Sequence, residues 1–230
     1  MKADKIELYL ADMRRLPLAE EYEQMLRALP EEARSKAERF VKEKDRIRSA
    51  TGALLMRSGA MLAGKERGEG GPYHIELGQY GKPFIREYPS IHFSLSHSGE
   101  LIAYAYGQQE VGVDVEELAD LDLSVFDPVL THEEKKRITT APNRLAEFYR
   151  IWTIREAFAK KDGRGLAVFE QEEIRIDYEN NQIFFQDKVV MVRTFLWEGH
   201  VISLCAEHLP KEIRPQFITA EEWKQKWFFS

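Results

Sequence analysis

Three short stretches of this 230-residue chain carry residue types that could do chemistry. In Val111-Gly112-Val113-Asp114-Val115-Glu116 the residues alternate in character, which predicts a strand with its valines on one face. Asp114 and Glu116 then share the other face, about 6.6 Å apart, near enough for both carboxylates to converge on one cation. Mg2+ suits such a pair, because it takes carboxylate oxygens together with substrate phosphates and water. The same alternation also describes an exposed strand face with two solvated acids. In the second stretch, running from Trp152 to Lys160, Glu156 and Lys160 stand four apart on one helical face. A carboxylate beside an ammonium can serve a metal and a phosphate together, or form an ordinary helical pair of about 0.2–0.5 kcal/mol. The third, Ser94-Leu95-Ser96-His97-Ser98, closes a predicted strand. Its hydroxyls, backbone N–H groups and imidazole are all donors, which suits a phosphate-binding turn as well as a plain polar one. A serine beside a histidine gives only a weak hydrolase signal, since no G-x-S-x-G elbow is present and adjacent strand residues face opposite ways.

Basic residues Lys36, Arg39, Lys42, Lys44, Arg46 and Arg48 crowd one region, interleaved with Glu38, Glu43 and Asp45. They read as a solvated helical face or as the grip on a polyanionic ligand. Gly81-Lys82-Pro83 is a turn whose lysine can point at a phosphate. Neither a G-x-x-x-x-G-K-[ST] loop nor a G-x-G-x-x-G after a strand occurs, and no Cys or His spacing suggests zinc.

These groups need a scaffold, and the rest of the chain supplies one. A net charge of −6 with 43% hydrophobic residues describes a globular chain and excludes sequence-independent nucleic-acid binding, which depends on a positive field. The single cysteine, Cys205, allows no intrachain disulfide and fits a reducing compartment. The charged N-terminus does not read as a signal peptide, and no apolar run approaches the roughly 20 residues of a membrane span. A cytoplasmic protein with no membrane partner is expected. Periodicity predicts a strand over 6–10, helices over 19–29, 30–40 and 45–64, and a loop at 68–72. Strands follow from 75, over 91–95 and over 101–106, the last buried on both faces. A turn at Gly107-Gln108-Gln109 precedes the strand from Val111. Thr131-His132-Glu133-Glu134 fits a capping box. A helix over 144–161 stops at Gly163, strands follow over 174–178, 183–185, 189–195 and 201–206, and a last helix starts at Thr219. Helices followed by strands, twice over, give an α+β fold of two similar subdomains, 1–107 and 108–230.

In order, Gly81-Lys82-Pro83, Phe93-Ser94-Leu95-Ser96-His97-Ser98, Gly112-Val113-Asp114-Val115-Glu116, and Trp152 to Glu156 with Lys160 and Gly163-Arg164-Gly165-Leu166 resemble the 4′-phosphopantetheinyl transferase superfamily, in its larger Sfp-like branch. Arg39-Phe40 and Asp45 resemble the family's helix more weakly. The resemblance implies a pseudo-twofold arrangement of two helix-plus-antiparallel-sheet halves with coenzyme A between them. It implies Mg2+ ligands at Asp114, Glu116 and Glu156, and a phosphate-binding lysine at Lys160. Coenzyme A contacts fall on Lys36, Lys82, Ser96 and His97. The implied reaction moves phosphopantetheine from coenzyme A to a serine of an acyl or peptidyl carrier protein, with Glu156 as proton acceptor, and the expected protein is a monomer. Two departures stand out: Arg155 occupies a position commonly held by lysine, and a second basic position near Lys36 falls on Ala33 or Glu32. Competing readings are a non-catalytic homologue, against which the intact Asp114, Glu116, Glu156 and Lys160 argue, and a Mg2+-dependent hydrolase of a nucleotide pyrophosphate.

Overall fold

The computed structural model describes residues 6–66 and 74–228. The loop expected at 68–72 lies outside them. The first half opens on strand β1 (Ile6–Asp12), followed by helices α1 (Leu18–Ala28), α2 (Glu31–Glu38) and α3 (Glu43–Glu66). A small hairpin, β2 (Ile75–Leu77) and β3 (Pro83–Ile85), leads into a longer one, β4 (His92–Ser98) and β5 (Leu101–Gly107). The second half runs β6 (Val111–Glu117), α4 (His132–Thr140), α5 (Arg144–Asp162), β7 (Ile174–Asp177), β8 (Gln182–Phe185), β9 (Lys188–Trp197) and β10 (His200–Ala206). One plan is used twice. A strand is followed by helices and then by a hairpin whose second strand returns to pair antiparallel with the first, giving orders β1-β5-β4 and β6-β10-β9. The α+β class and the two similar halves are therefore as expected.

Strand periodicity assigns the faces. Ile6, Leu8, Leu10, Leu101, Ala103 and Ala105 of the first sheet pack on Val111, Val113, Val115, Ile202, Leu204 and Ala206 of the second, forming an apolar layer between the sheets. The intervening residues face helices: Tyr9, Tyr104 and Tyr106 look toward α3, and Val201 and Cys205 toward α5. That is why β5 is buried along its whole length. A last helix starts at Thr219 as expected, but the return of the chain end to the first half was not foreseen. β11 (Gln216–Phe217) joins the first sheet parallel to β1, and the helical turns after it bury Trp223 and Trp227 in the first half's core. Ser58 donates to the Trp227 carbonyl at 2.5 Å, and Trp227 meets Tyr9 edge-on at 4.9 Å. A two-residue strand carries no periodicity to read.

The two sheets meet at a seam between β4 and β6 that is not a backbone ladder, since β4 pairs only with β5 and β6 only with β10. Serine hydroxyls replace it. Val113 N–H donates to Ser94 Oγ at 3.0 Å and Glu117 N–H to Ser98 Oγ at 3.1 Å. On the face of β6 that carries Asp114 and Glu116, Gly112 lets α5 lie close: a Cβ there would overlap the Ala157 carbonyl oxygen and the Lys161 amide nitrogen.

Candidate active site

Helix α5 is fixed at both ends and therefore fixes its side chains. The Asn143 side chain accepts the Ala146 N–H, and Gly163, at φ 97°, gives its N–H to the Ala159 carbonyl. Lying on Gly112, the helix brings Glu156 and Lys160 over the Asp114 and Glu116 face of β6. Lys160 Nζ sits 2.7 Å from Asp114 Oδ1 and 2.8 Å from Ser96 Oγ, and Ser96 donates to the same Asp114 oxygen at 2.8 Å. Asp114 is 3% exposed, and its second oxygen, Oδ2, is buried with no hydrogen-bond partner. Ser98 donates to Glu116 Oε2 at 2.8 Å.

The carboxylates crowd one another. Burial, and next the charge of Asp114, push the Glu156 pKa up, with Lys160 opposing. Burial raises Glu116 as well, Ser98 opposing and Asp114 reinforcing. Among the described residues no group of three or more His, Cys, Asp or Glu stands ready-spaced to hold a metal ion. The acids are neighbours, and the cation resting among them is Lys160.

Of the expected coenzyme A contacts, Ser96 belongs to this group through its bonds to Lys160 and Asp114, while His97, Lys36 and Lys82 make none of these bonds. His97 alternates with Ser96 on β4 and so leaves on the other face. Partial burial, and next the positive charge of Arg48, lower its pKa. Arg48 pairs with Asp45 at 2.6 Å. Nothing in the mixed-charge run singles Arg48 out, and only the folding of α3 against β4 brings it to His97. Lys36 is exposed on α2. Lys82 is tied down: its Nζ pairs with Glu110 and donates to the Lys161 carbonyl at 2.5 Å. Burial lowers the Lys82 pKa, while His92 and Lys82 hold Glu110 at about 2 against the effect of burial. Lys82, Tyr80, Phe84, His92, Glu110 and Arg164 border a cavity of about 560 Å3 between the β2–β3 hairpin and the end of α5. The Ser94–Ser98 stretch is strand throughout, and its three hydroxyls point to β6.

Arg155, next to Glu156 in sequence, turns onto a different partner. Its Nη1 lies 3.0 and 3.1 Å from the two oxygens of buried Glu134, and its guanidinium stacks 4.1 Å from the Phe169 ring centre. Glu134 closes the expected capping box by accepting the Thr131 N–H at 2.7 Å, and it also accepts the Tyr178 hydroxyl at 2.5 Å.

Two family models cover most of the chain. The 4′-phosphopantetheinyl transferase superfamily matches residues 110–220, and the N-terminal region of 4′-phosphopantetheinyl transferases matches residues 15–109. A 4′-phosphopantetheinyl transferase of Bacillus subtilis is 28% identical over 212 residues, covering 88% of this chain and 93% of its own. The 4′-phosphopantetheinyl transferase Sfp of Bacillus subtilis (strain 168) is 25% identical over 84% of this chain and 90% of its own. The 4′-phosphopantetheinyl transferase gsp of Aneurinibacillus migulanus is 29% identical over 73% and 72%. The chain belongs to the 4′-phosphopantetheinyl transferase superfamily, in its Sfp-like branch. It is an enzyme of that class.

Proposed function

We propose that the protein transfers the 4′-phosphopantetheine group of coenzyme A to a serine of an acyl or peptidyl carrier protein, with Mg2+, releasing adenosine 3′,5′-bisphosphate. The observation that carries this reading is the cluster of Asp114, Glu116, Glu156 and Lys160 around a carboxylate oxygen, Asp114 Oδ2, that is buried and unpartnered. An orphaned acceptor beside two acids of raised pKa is a place short of positive charge. The donors are all carboxylate oxygens, which fit a hard divalent cation such as Mg2+. When bound, Mg2+ supplies charge neutralisation at the pyrophosphate.

The chain's own residues do the rest. Lys160, already among the acids, gives N–H bonds to phosphate oxygens once these enter. Glu156 accepts the proton of the attacking serine hydroxyl, and its raised pKa makes it a stronger base than a solvated carboxylate. His97, Arg48 and Lys36 supply donors and positive charge for the nucleotide's phosphates, and Lys82 holds the β2–β3 hairpin beside them. We assign 1–107 and 108–230 as the two subdomains bordering this cleft, with the segment from Gln216 crossing back to the first: Ser96 and His97 come from one and Asp114, Glu116, Glu156 and Lys160 from the other. A monomer working in the cytoplasm accounts for the reaction. Among the described residues no helix is long and apolar enough to cross a membrane.

Incubation with coenzyme A and Mg2+, with and without an apo carrier protein, tests the reading against hydrolysis. Adenosine 3′,5′-bisphosphate is expected only when the carrier is present. Release at the same rate without it would make the protein a hydrolase.

A further inference from the structure

The seam between the halves contains a register match that neither half shows alone. Serines recur at every second position of β4, and the acids Asp114 and Glu116 recur at the same interval on β6. Ser96 donates to Asp114 Oδ1 and Ser98 to Glu116 Oε2, both at 2.8 Å and both across 18 residues. Each bond uses one oxygen of its carboxylate and leaves the other for a ligand. For Asp114 that other oxygen is the buried, unpartnered Oδ2. Ser98 differs from Ser96 in the donor its hydroxyl accepts: Ser96 Oγ takes the side-chain ammonium of Lys160 at 2.8 Å, whereas Ser98 Oγ takes the backbone Glu117 N–H at 3.1 Å. A hydroxyl has one proton to give. With a lone pair engaged by a backbone amide of β6, the Ser98 hydroxyl is held in one orientation, its proton directed at Glu116. Ser94 makes the corresponding amide contact, to Val113, but has no acid partner.

We propose that Ser98 is a positioning residue for the cation site, fixing the Glu116 carboxylate from the opposite half of the molecule so that one of its oxygens stays turned toward Asp114 and Glu156. The inference rests on the metal-binding reading given above. Partners that orient a ligating carboxylate contribute to affinity, and their loss weakens metal binding by about 10- to 100-fold. The match also makes the site depend on the seam: the serines come from β4 and the ligands from β6, so the cation binds where both halves are in register.

Mn2+ binding to the full-length protein, followed by electron paramagnetic resonance or calorimetry without coenzyme A, tests this separately from catalysis. Ser98→Ala is expected to raise the Mn2+ dissociation constant by about tenfold or more. Ser98→Thr, which keeps the hydroxyl, is expected to restore it. Ser94→Ala, which removes a hydroxyl from the same seam with no acid attached, is expected to bind Mn2+ like the unsubstituted protein. Unchanged affinity in Ser98→Ala, equal weakening in Ser94→Ala, or failure of Ser98→Thr to restore binding would each overturn the positioning role. If the unsubstituted protein itself bound no Mn2+, the metal reading would fall, and Ser98's role with it.

Discussion

Replacing Arg155 by methionine should cost stability far more than chemistry. Arg155 is 6% exposed and Glu134 2% exposed, so the variant leaves a carboxylate buried without its counter-charge. Removing one partner of such a pair costs about 3–5 kcal/mol. Two of Glu134's other bonds survive, from the Thr131 N–H and the Tyr178 hydroxyl, which favours the lower end of that range. The lost stacking over Phe169 adds about 0.5–1 kcal/mol. A total of about 4 kcal/mol lowers the melting temperature of a chain this size by about 8–16 °C. The pH dependence follows from Glu134. Burial raises its pKa, but Arg155, Tyr178 and Thr131 outweigh burial and hold it below the ordinary value of 4.5. A depressed carboxyl stabilises the fold above its unfolded pKa, and that stability is lost as pH falls through the folded value. The gap between unsubstituted protein and variant should therefore narrow on acidification below about pH 4.5. Differential scanning calorimetry from pH 7.5 to 3.5 measures the gap, and transfer assayed at 15 °C measures the chemistry. An unchanged melting temperature with transfer lost would refute the reasoning and put Arg155 in the cleft with Glu156.

Gly112→Ala forces a methyl group into the backbone of α5, so it should destabilise by at least about 3 kcal/mol and displace Glu156 and Lys160; unfolding in urea reads the first and transfer the second. Glu156→Gln should raise the melting temperature at pH 7.5 in chelator while abolishing transfer. Its carboxyl has a raised pKa in the fold, favouring the folded state at low pH and turning against it as pH rises through that value. A lower melting temperature in the variant would contradict the crowding of the acids. Trp227→Ala should cost about 3–5 kcal/mol, because the indole is 1% exposed in the first half's core; a change below about 1 kcal/mol would show that the chain end does not support that half.

What the sequence made legible followed simple periods. The alternation from Val111 to Glu116 placed two acids on one face of β6, and the i, i+4 spacing placed Glu156 and Lys160 together on α5. The Thr131 capping box and the Gly163 stop were readable because end signals are local. What failed to show depended on contacts between distant segments. Ser94, Ser96 and Ser98 resembled a phosphate-binding turn, yet their hydroxyls serve β6, a strand they meet only in the folded molecule. Lys82 read as a lysine able to point at a phosphate because nothing local marks Glu110 as its partner, and nothing local pairs Arg155 with Glu134. The return of β11 to β1 joins residues more than 200 positions apart and leaves no trace in either segment.

The central claim is that Asp114, Glu116, Glu156 and Lys160 act together in a cation-dependent transfer to a carrier serine. Intact-mass spectrometry of an apo carrier protein, after incubation with the enzyme, coenzyme A and either Mg2+ or excess chelator, tests it most directly. The account predicts a gain of one phosphopantetheine group on the carrier with Mg2+. No gain is expected in chelator, nor with folded Asp114→Ala. Full modification of the carrier by Asp114→Ala, or by the unsubstituted enzyme in chelator, would contradict it.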